Sequence, residues 1–168
     1  MRRPRPERPG PGQESVWDYP RPPRVEECSA SVVVELGGTV VARTTRSWRV
    51  LETSHPPTYY LPRAAYAEGA LRACAGSSFC EWKGAAAYFD LVGGPEGDVV
   101  SPRAAWTYPD PAPGFAAIAG AVAVMAAGTD RCLVDGEVVV PQPGGFYGGW
   151  ITSGVVGPFK GIPGSHGW

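Results

Sequence analysis

The chain has 168 residues and a formal charge of −1, long enough for one buried core and too short for two independent ones. That charge excludes general electrostatic binding to nucleic acid or to a membrane surface, because neither is held without a positive face. The basic residues divide into 13 Arg and two Lys, Asn is missing, and Gly and Pro are abundant; this is the bias of a GC-rich genome, so each Lys is more informative than any Arg.

Residues 1–14 are rich in Pro and Arg and almost free of apolar side chains, which predicts a disordered tail unable to offset its ordering entropy. Six Arg lie in or just after it, and codon bias favours a solvated extension over a nucleic-acid-binding arm. Residues 15–161 are expected to form one domain and 162–168 a C-terminal tail that includes His166. Trp17-Asp-Tyr-Pro-Arg-Pro-Pro23 suits an extended segment packed across a surface.

Ser31–Leu36 and Thr39–Thr44 are β-branched runs around Gly37-Gly38, a two-residue hairpin signal. Ala86–Val92 and Val99–Trp106 make a second hairpin across Gly93–Gly97. Asp130–Val134 and Glu137–Val140 make a third across Asp135-Gly136. Helix is confined to a turn or two at Ala64–Leu71, opened by Pro62, and at Gly114–Ala119, opened by Pro113. Short strands with Gly/Pro turns give an all-β barrel or sandwich of antiparallel strands. No apolar run is long enough for a membrane span and no signal peptide is legible, so a cytoplasmic protein is expected. The four Cys are scattered without a CxxC pair, which supports neither a zinc site nor a redox dithiol.

Reactive residue types concentrate in three islands. Arg49-Val-Leu-Glu-Thr-Ser-His-Pro-Pro-Thr-Tyr-Tyr60 holds the only internal His, Cys80-Glu-Trp-Lys-Gly84 holds one Lys, and Gly144-Gly-Phe-Tyr-Gly-Gly-Trp150 precedes the other in Gly157-Pro-Phe-Lys-Gly161. Together with Trp17–Pro23 and Ala105-Trp-Thr-Tyr-Pro109, these motifs resemble the domain of unknown function 427 family, from about Ser15 to Gly161. The resemblance implies a β-tent fold related in topology to the methionine-R-sulfoxide reductases and to a small Rab-exchange-factor family. Such relatives often hold zinc on paired CxxC motifs, which this chain lacks, so no metal and no cofactor are expected. A nucleotidyltransferase label attached to the family has no support in a phosphate loop or paired carboxylates. The chain departs from the family pattern at Gly84-Ala-Ala-Ala-Tyr88 and Val122–Gly128, where small apolar residues imply either a more apolar pocket or drift at solvent-facing positions.

Glu52 lies three residues before His55, and a carboxylate beside an imidazole either moves protons or fixes the loop as a salt link. Alternation along an extended segment sends Tyr59 and Tyr60 to opposite sides, with Tyr60 assigned to the pocket. Lys83 suits an electrostatic clamp on a carboxylate, phosphate or carbonyl oxygen, Schiff-base chemistry, or a buried pair with Glu52 or Glu81. Strand alternation would put Cys80 and Trp82 on one face and Glu81 and Lys83 on the other. Cys80 is either a thiol nucleophile with His55 as its base or a buried inert residue. The expectation is a single pocket for a small molecule, with Glu52, His55, Tyr60 and Lys83 catalytic and Trp82, Tyr88, Trp106, Tyr147 and Lys160 contacting the ligand. Trp106, Tyr108, Tyr88, Phe146, Tyr147 and Trp150 also read as largely core aromatics. The leading function is metal-independent acid–base chemistry on a small anionic or carbonyl-bearing metabolite, such as a biosynthetic cyclase or isomerase would perform. A non-catalytic module binding a small molecule or a protein, and a Cys-dependent sulfur-redox enzyme, are the alternatives.

Overall fold

The computed structural model describes residues 3–168; Met1 and Arg2 of the expected tail lie outside them. The fold is all-β, built from open sheets joined by short 3₁₀ turns. Among the described residues no sheet closes on itself, so the architecture is a sandwich-like stack, not a barrel. In the first four-stranded sheet, β3 (Val32–Leu36) and β4 (Thr39–Thr44) form the first hairpin, and β3 also pairs with β11 (Arg131–Val134), which carries β12 (Glu137–Val138). Both turns have positive φ at their two central residues, Gly37-Gly38 and Asp135-Gly136, the backbone that a type I′ hairpin requires. Val32, Val34 and Leu36 are buried while Val33 and Glu35 are half-exposed, the period of two that a one-sided sheet imposes.

The second four-stranded sheet runs β10 (Val122–Val124), β9 (Val99–Thr107), β8 (Gly84–Gly93), β7 (Leu71–Cys80). Ala87 pairs with Thr107, but Ala86, Ala85 and Gly84 pair only with β7. The tip of the β7–β8 hairpin therefore projects past the rest of the sheet. A third sheet joins β2 (Arg24–Cys28), β5 (Ser47–Leu51) and β6 (Thr58–Tyr60). Two-residue pairs complete the fold, β13 (Val140–Pro141) with β14 (Trp150–Ile151), and β1 (Glu14–Ser15) in parallel with β15 (Val155–Val156).

Helix at Ala64–Leu71 does not form: only Arg63–Ala65 makes a 3₁₀ turn, and Leu71 already belongs to β7. The Ala67 N–H is bonded to the Val41 carbonyl and Gly69 has φ of 77°, so the backbone is committed to the neighbouring strand before a second helical turn can close. The second expected helix is 3₁₀ over Pro113–Ile118. Trp17 is buried, as the packed-segment reading requires, within a 3₁₀ turn at Val16–Asp18. Within the departure at Val122–Gly128, Val122, Ala123 and Val124 are buried in β10, and Met125 lines the cleft described below. Glu7 bonds Gly157 through both its backbone N–H and its carboxylate.

Among the described residues, buried side chains gather in three clusters. The largest, with Val32, Val34, Leu61, Leu91, Val122, Val124 and Trp150, lies between the two four-stranded sheets and β6. A second surrounds Tyr60, Tyr108, Phe115 and Ile118, and a third joins Val16, Trp17 and Tyr19 to Leu51. The cleft described next opens above the second.

Candidate active site

Tyr59 and Tyr60 divide between two clusters. Tyr59 stacks on Trp150 in the main core, centroids 5.0 Å apart, while Tyr60 enters the second cluster. β-Strand alternation accounts for this split. Upstream, Val50 faces the cleft, whereas Arg49 turns away to bond Glu14 at 2.8 Å and Glu26 at 2.6 Å. The first residue of the longest island thus has a structural task outside the cleft.

Between β5 and β6 the chain makes a tight turn over Glu52–His55. His55 N–H donates to the Glu52 carbonyl at 3.0 Å, and Ser54 adopts φ of 71°, a left-handed conformation that costs an L-residue about 1–2 kcal/mol. It is held there by Ser54 N–H donating to Val16 O and Ser54 O accepting from Lys160 N–H. The turn brings Glu52 Oε2 within 3.5 Å of His55 Nε2. Arg21, read from sequence only as part of a packing segment, donates to Glu52 Oε2 at 3.1 Å and to the Thr53 carbonyl at 2.9 Å.

Gln142 settles which proton His55 carries. Its Oε1 accepts from Gly149 N–H at 3.0 Å and its Nε2 donates to the Lys160 carbonyl at 2.9 Å, so backbone groups at both ends fix the amide's orientation. The same Nε2 lies 3.1 Å from His55 Nδ1, which must then accept, leaving the ring hydrogen on Nε2. Burial holds the imidazole's pKa down to about 4, against the pull of Glu52 and with help from the positive charges of Lys160, Arg21 and Lys83. At neutral pH His55 is a neutral Nε2–H donor facing the carboxylate. A thiol mechanism using His55 as base is therefore disfavoured, because its free nitrogen already bears a proton.

Residues Glu81–Lys83 form the turn at the hairpin tip, so the strand alternation expected for Cys80–Lys83 does not hold; all four line the cleft. Lys83 Nζ lies 5.5 Å from the Tyr108 ring centroid and 5.9 Å from that of Phe115. Lys160 Nζ lies 5.5 Å from the Tyr147 ring centroid and donates to the Trp168 carbonyl at 3.3 Å. Among the described residues neither Lys has an Asp or Glu carboxylate within 4.0 Å. The Lys83–Glu pair considered from sequence is not formed.

Tyr60 forms the floor at 1% exposure. Its hydroxyl accepts from Trp106 Nε1 at 3.2 Å, and burial keeps its pKa well above the usual phenol range, so it retains a proton to donate. Tyr88 bonds Ser78 through the two hydroxyls at 2.6 Å. Tyr147 meets the His55 ring edge-on, centroids 4.7 Å apart. Trp150 is core, but Phe146 is 81% exposed and is not. The close approach of the Gly144–Trp150 loop explains two of its glycines: a Cβ on Gly148 would collide with the Trp106 ring, and one on Gly149 with Gln142 Oε1 and the Pro56 carbonyl.

All nine side chains named from sequence, Glu52, His55, Tyr60, Trp82, Lys83, Tyr88, Trp106, Tyr147 and Lys160, line one cleft of about 520 Å³, a volume suited to a drug-sized ligand. Gln142, Tyr108, Met125 and Phe79 join them. Cys80 borders the cleft, but Cys74 lies across a bulge on the same strand, its partner Tyr88 four residues from Gly84, the partner of Cys80, roughly 13 Å away, and Cys132 is buried in the main core. Neither is placed as a resolving thiol for Cys80. Among the described residues no three His, Cys, Asp or Glu side chains converge as metal ligands, and no helix is long and apolar enough to cross a membrane.

A family model for a domain of unknown function, DUF427, matches residues 24–135, two thirds of the chain, and the chain belongs to that family. The match contains Glu52, His55, Tyr60 and Lys83 and stops short of Gln142, Tyr147 and Lys160. No curated protein matches the sequence.

Proposed function

We propose that this member of the domain of unknown function 427 family is an enzyme that holds a small anionic or carbonyl-bearing metabolite in the cleft and moves a proton on it. The observation that carries the reading is the placement of both lysines of the chain beside one cleft, with no Asp or Glu partner among the described residues, next to a carboxylate–imidazole pair. Glu52 is the base: it takes a proton from the carbon next to the carbonyl, and the electron pair of that C–H bond moves onto the carbonyl oxygen. Lys83, the Nε2–H of His55 and the Tyr60 hydroxyl are the donors available to that developing oxyanion, a contribution worth roughly 3–4 kcal/mol per donor in comparable sites. Lys160 pairs with a second anionic group. Returning the proton to another carbon isomerises the substrate, and attack of the enolate carbon on an internal electrophile closes a ring.

Deuterium wash-in tests this reading without knowledge of the substrate. Small ketones, aldehydes and 2-oxo acids are incubated with the protein in D₂O and followed by proton NMR. Protein-dependent loss of the signal next to the carbonyl is expected for at least one compound, slowed roughly 10²–10⁴-fold in Glu52→Gln and roughly 10²–10³-fold in Lys83→Met. Binding in the cleft with no wash-in from any compound would identify a non-catalytic binding module instead.

A further inference from the structure

The two most exposed large hydrophobic side chains among the described residues are Phe79, at 79%, and Phe146, at 81%; the next, Val140, is at 56%. Both border the same cleft. They arrive on unrelated elements, Phe79 on the overhanging β7–β8 hairpin and Phe146 on the loop before Trp150. Neither position is slack. Phe79 is in register with Ala85 within the strand ladder, and the Phe146 ring meets Tyr147 edge-on, centroids 4.9 Å apart.

Each phenylalanine also has a lysine for company. Lys83 lies at the turn just beyond Phe79, and Lys160 sits over the Tyr147 ring that Phe146 touches. An aromatic ring left this exposed gains only when something apolar covers it. Here the cover must reach a cleft that offers two cations. We infer that the metabolite is an amphiphile: its anionic or carbonyl head is held at the lysines and an apolar chain leaves the cleft between Phe79 and Phe146. This rests on the proposed head-group site and adds the substrate class.

The test is the affinity of straight-chain carboxylates from butanoate to dodecanoate, each below its micelle-forming concentration, beside the matching primary alcohols, measured by calorimetry. Kd is expected to fall about fourfold per methylene over part of the series, equivalent to about 0.8 kcal/mol each. Phe79→Ser and Phe146→Ser should each flatten that dependence and leave butanoate binding as it was; both side chains are exposed, so the fold tolerates the change. A Kd independent of chain length, or a slope that survives in the double variant, would overturn the inference. So would a dimer of the native chain that the double variant dissociates, since a second copy would then be the cover. Alcohols binding as tightly as carboxylates, with the chain-length slope intact and sensitive to the two phenylalanines, would support the apolar rim and sink the anionic head-group site instead.

Discussion

Lowering the pH from 6.5 to 4 is expected to cost the folded protein up to about 3 kcal/mol through His55 alone. The ordinary imidazole value is 6.5 and burial holds this ring at about 4. Between those values the unfolded chain binds a proton that the folded chain does not. Stability from this group is therefore complete above 6.5, is lost progressively as the pH falls, and changes no further below about 4. Glu14, whose carboxyl Arg49 holds below its usual range, adds its own loss toward lower pH, so the diagnostic quantity is a difference. Urea unfolding of the native chain and of His55→Phe at pH 7, 5.5 and 4 should give a shallower dependence for the variant. Parallel curves would show that the ring is not kept neutral by the fold.

Gln142→Glu tests the cause of that neutrality from the other side. A carboxylate there can still accept from Gly149 N–H, but it can no longer donate to His55 Nδ1. The imidazole should move its proton to Nδ1, and an adjacent negative charge should raise its pKa by roughly one to three pH units. Nitrogen-15 shifts of the ring read both changes directly. The assignment of His55 as a donor fails if the native protein shows hydrogen on Nδ1.

The parts of this site legible in the sequence are those with local causes. Hairpin turns at Gly37-Gly38 and Asp135-Gly136 are written in two residues each, and the partition of Tyr59 from Tyr60 follows from strand alternation. Lys83 and His55 stood out because the chain has so few of either type. Gln142 left no comparable signal: it meets a histidine 87 positions away, and what makes it consequential is a pair of backbone partners that only the tertiary fold supplies. Arg21 was hidden for the same reason, within a motif whose aromatics and prolines read as packing. Phe146 was misread because a large aromatic among glycines looks like core, and burial there depends on whether the loop folds inward. β7 was obscured by its small residues, Ala, Gly and Ser, which carry little β-propensity; most of its side chains are exposed, so no apolar alternation announced it.

The site stands on the core through Trp150, and its truncation should have the largest effect on stability. The indole is 1% exposed, stacks on Tyr59 and donates from Nε1 to the Val124 carbonyl at 3.1 Å. Its backbone N–H donates to the Pro57 carbonyl at 2.8 Å. One residue thereby ties together three segments that reach the cleft: the loop carrying Tyr147, the stretch after His55, and the strand leading to Met125. Trp150→Ala is expected to cost roughly 3–5 kcal/mol, from lost burial and the cavity left behind. Trp150→Phe keeps most of the stacking and removes the donor from Val124, a smaller loss of about 1–3 kcal/mol. Chemical denaturation measures both, and carboxylate binding measured where each variant remains folded separates anchoring from stability. If Trp150→Ala lost less than about 1 kcal/mol, the segments around the cleft would have to be held by other contacts, and Tyr59 alone could not be the platform on which the Gly144–Trp150 loop rests.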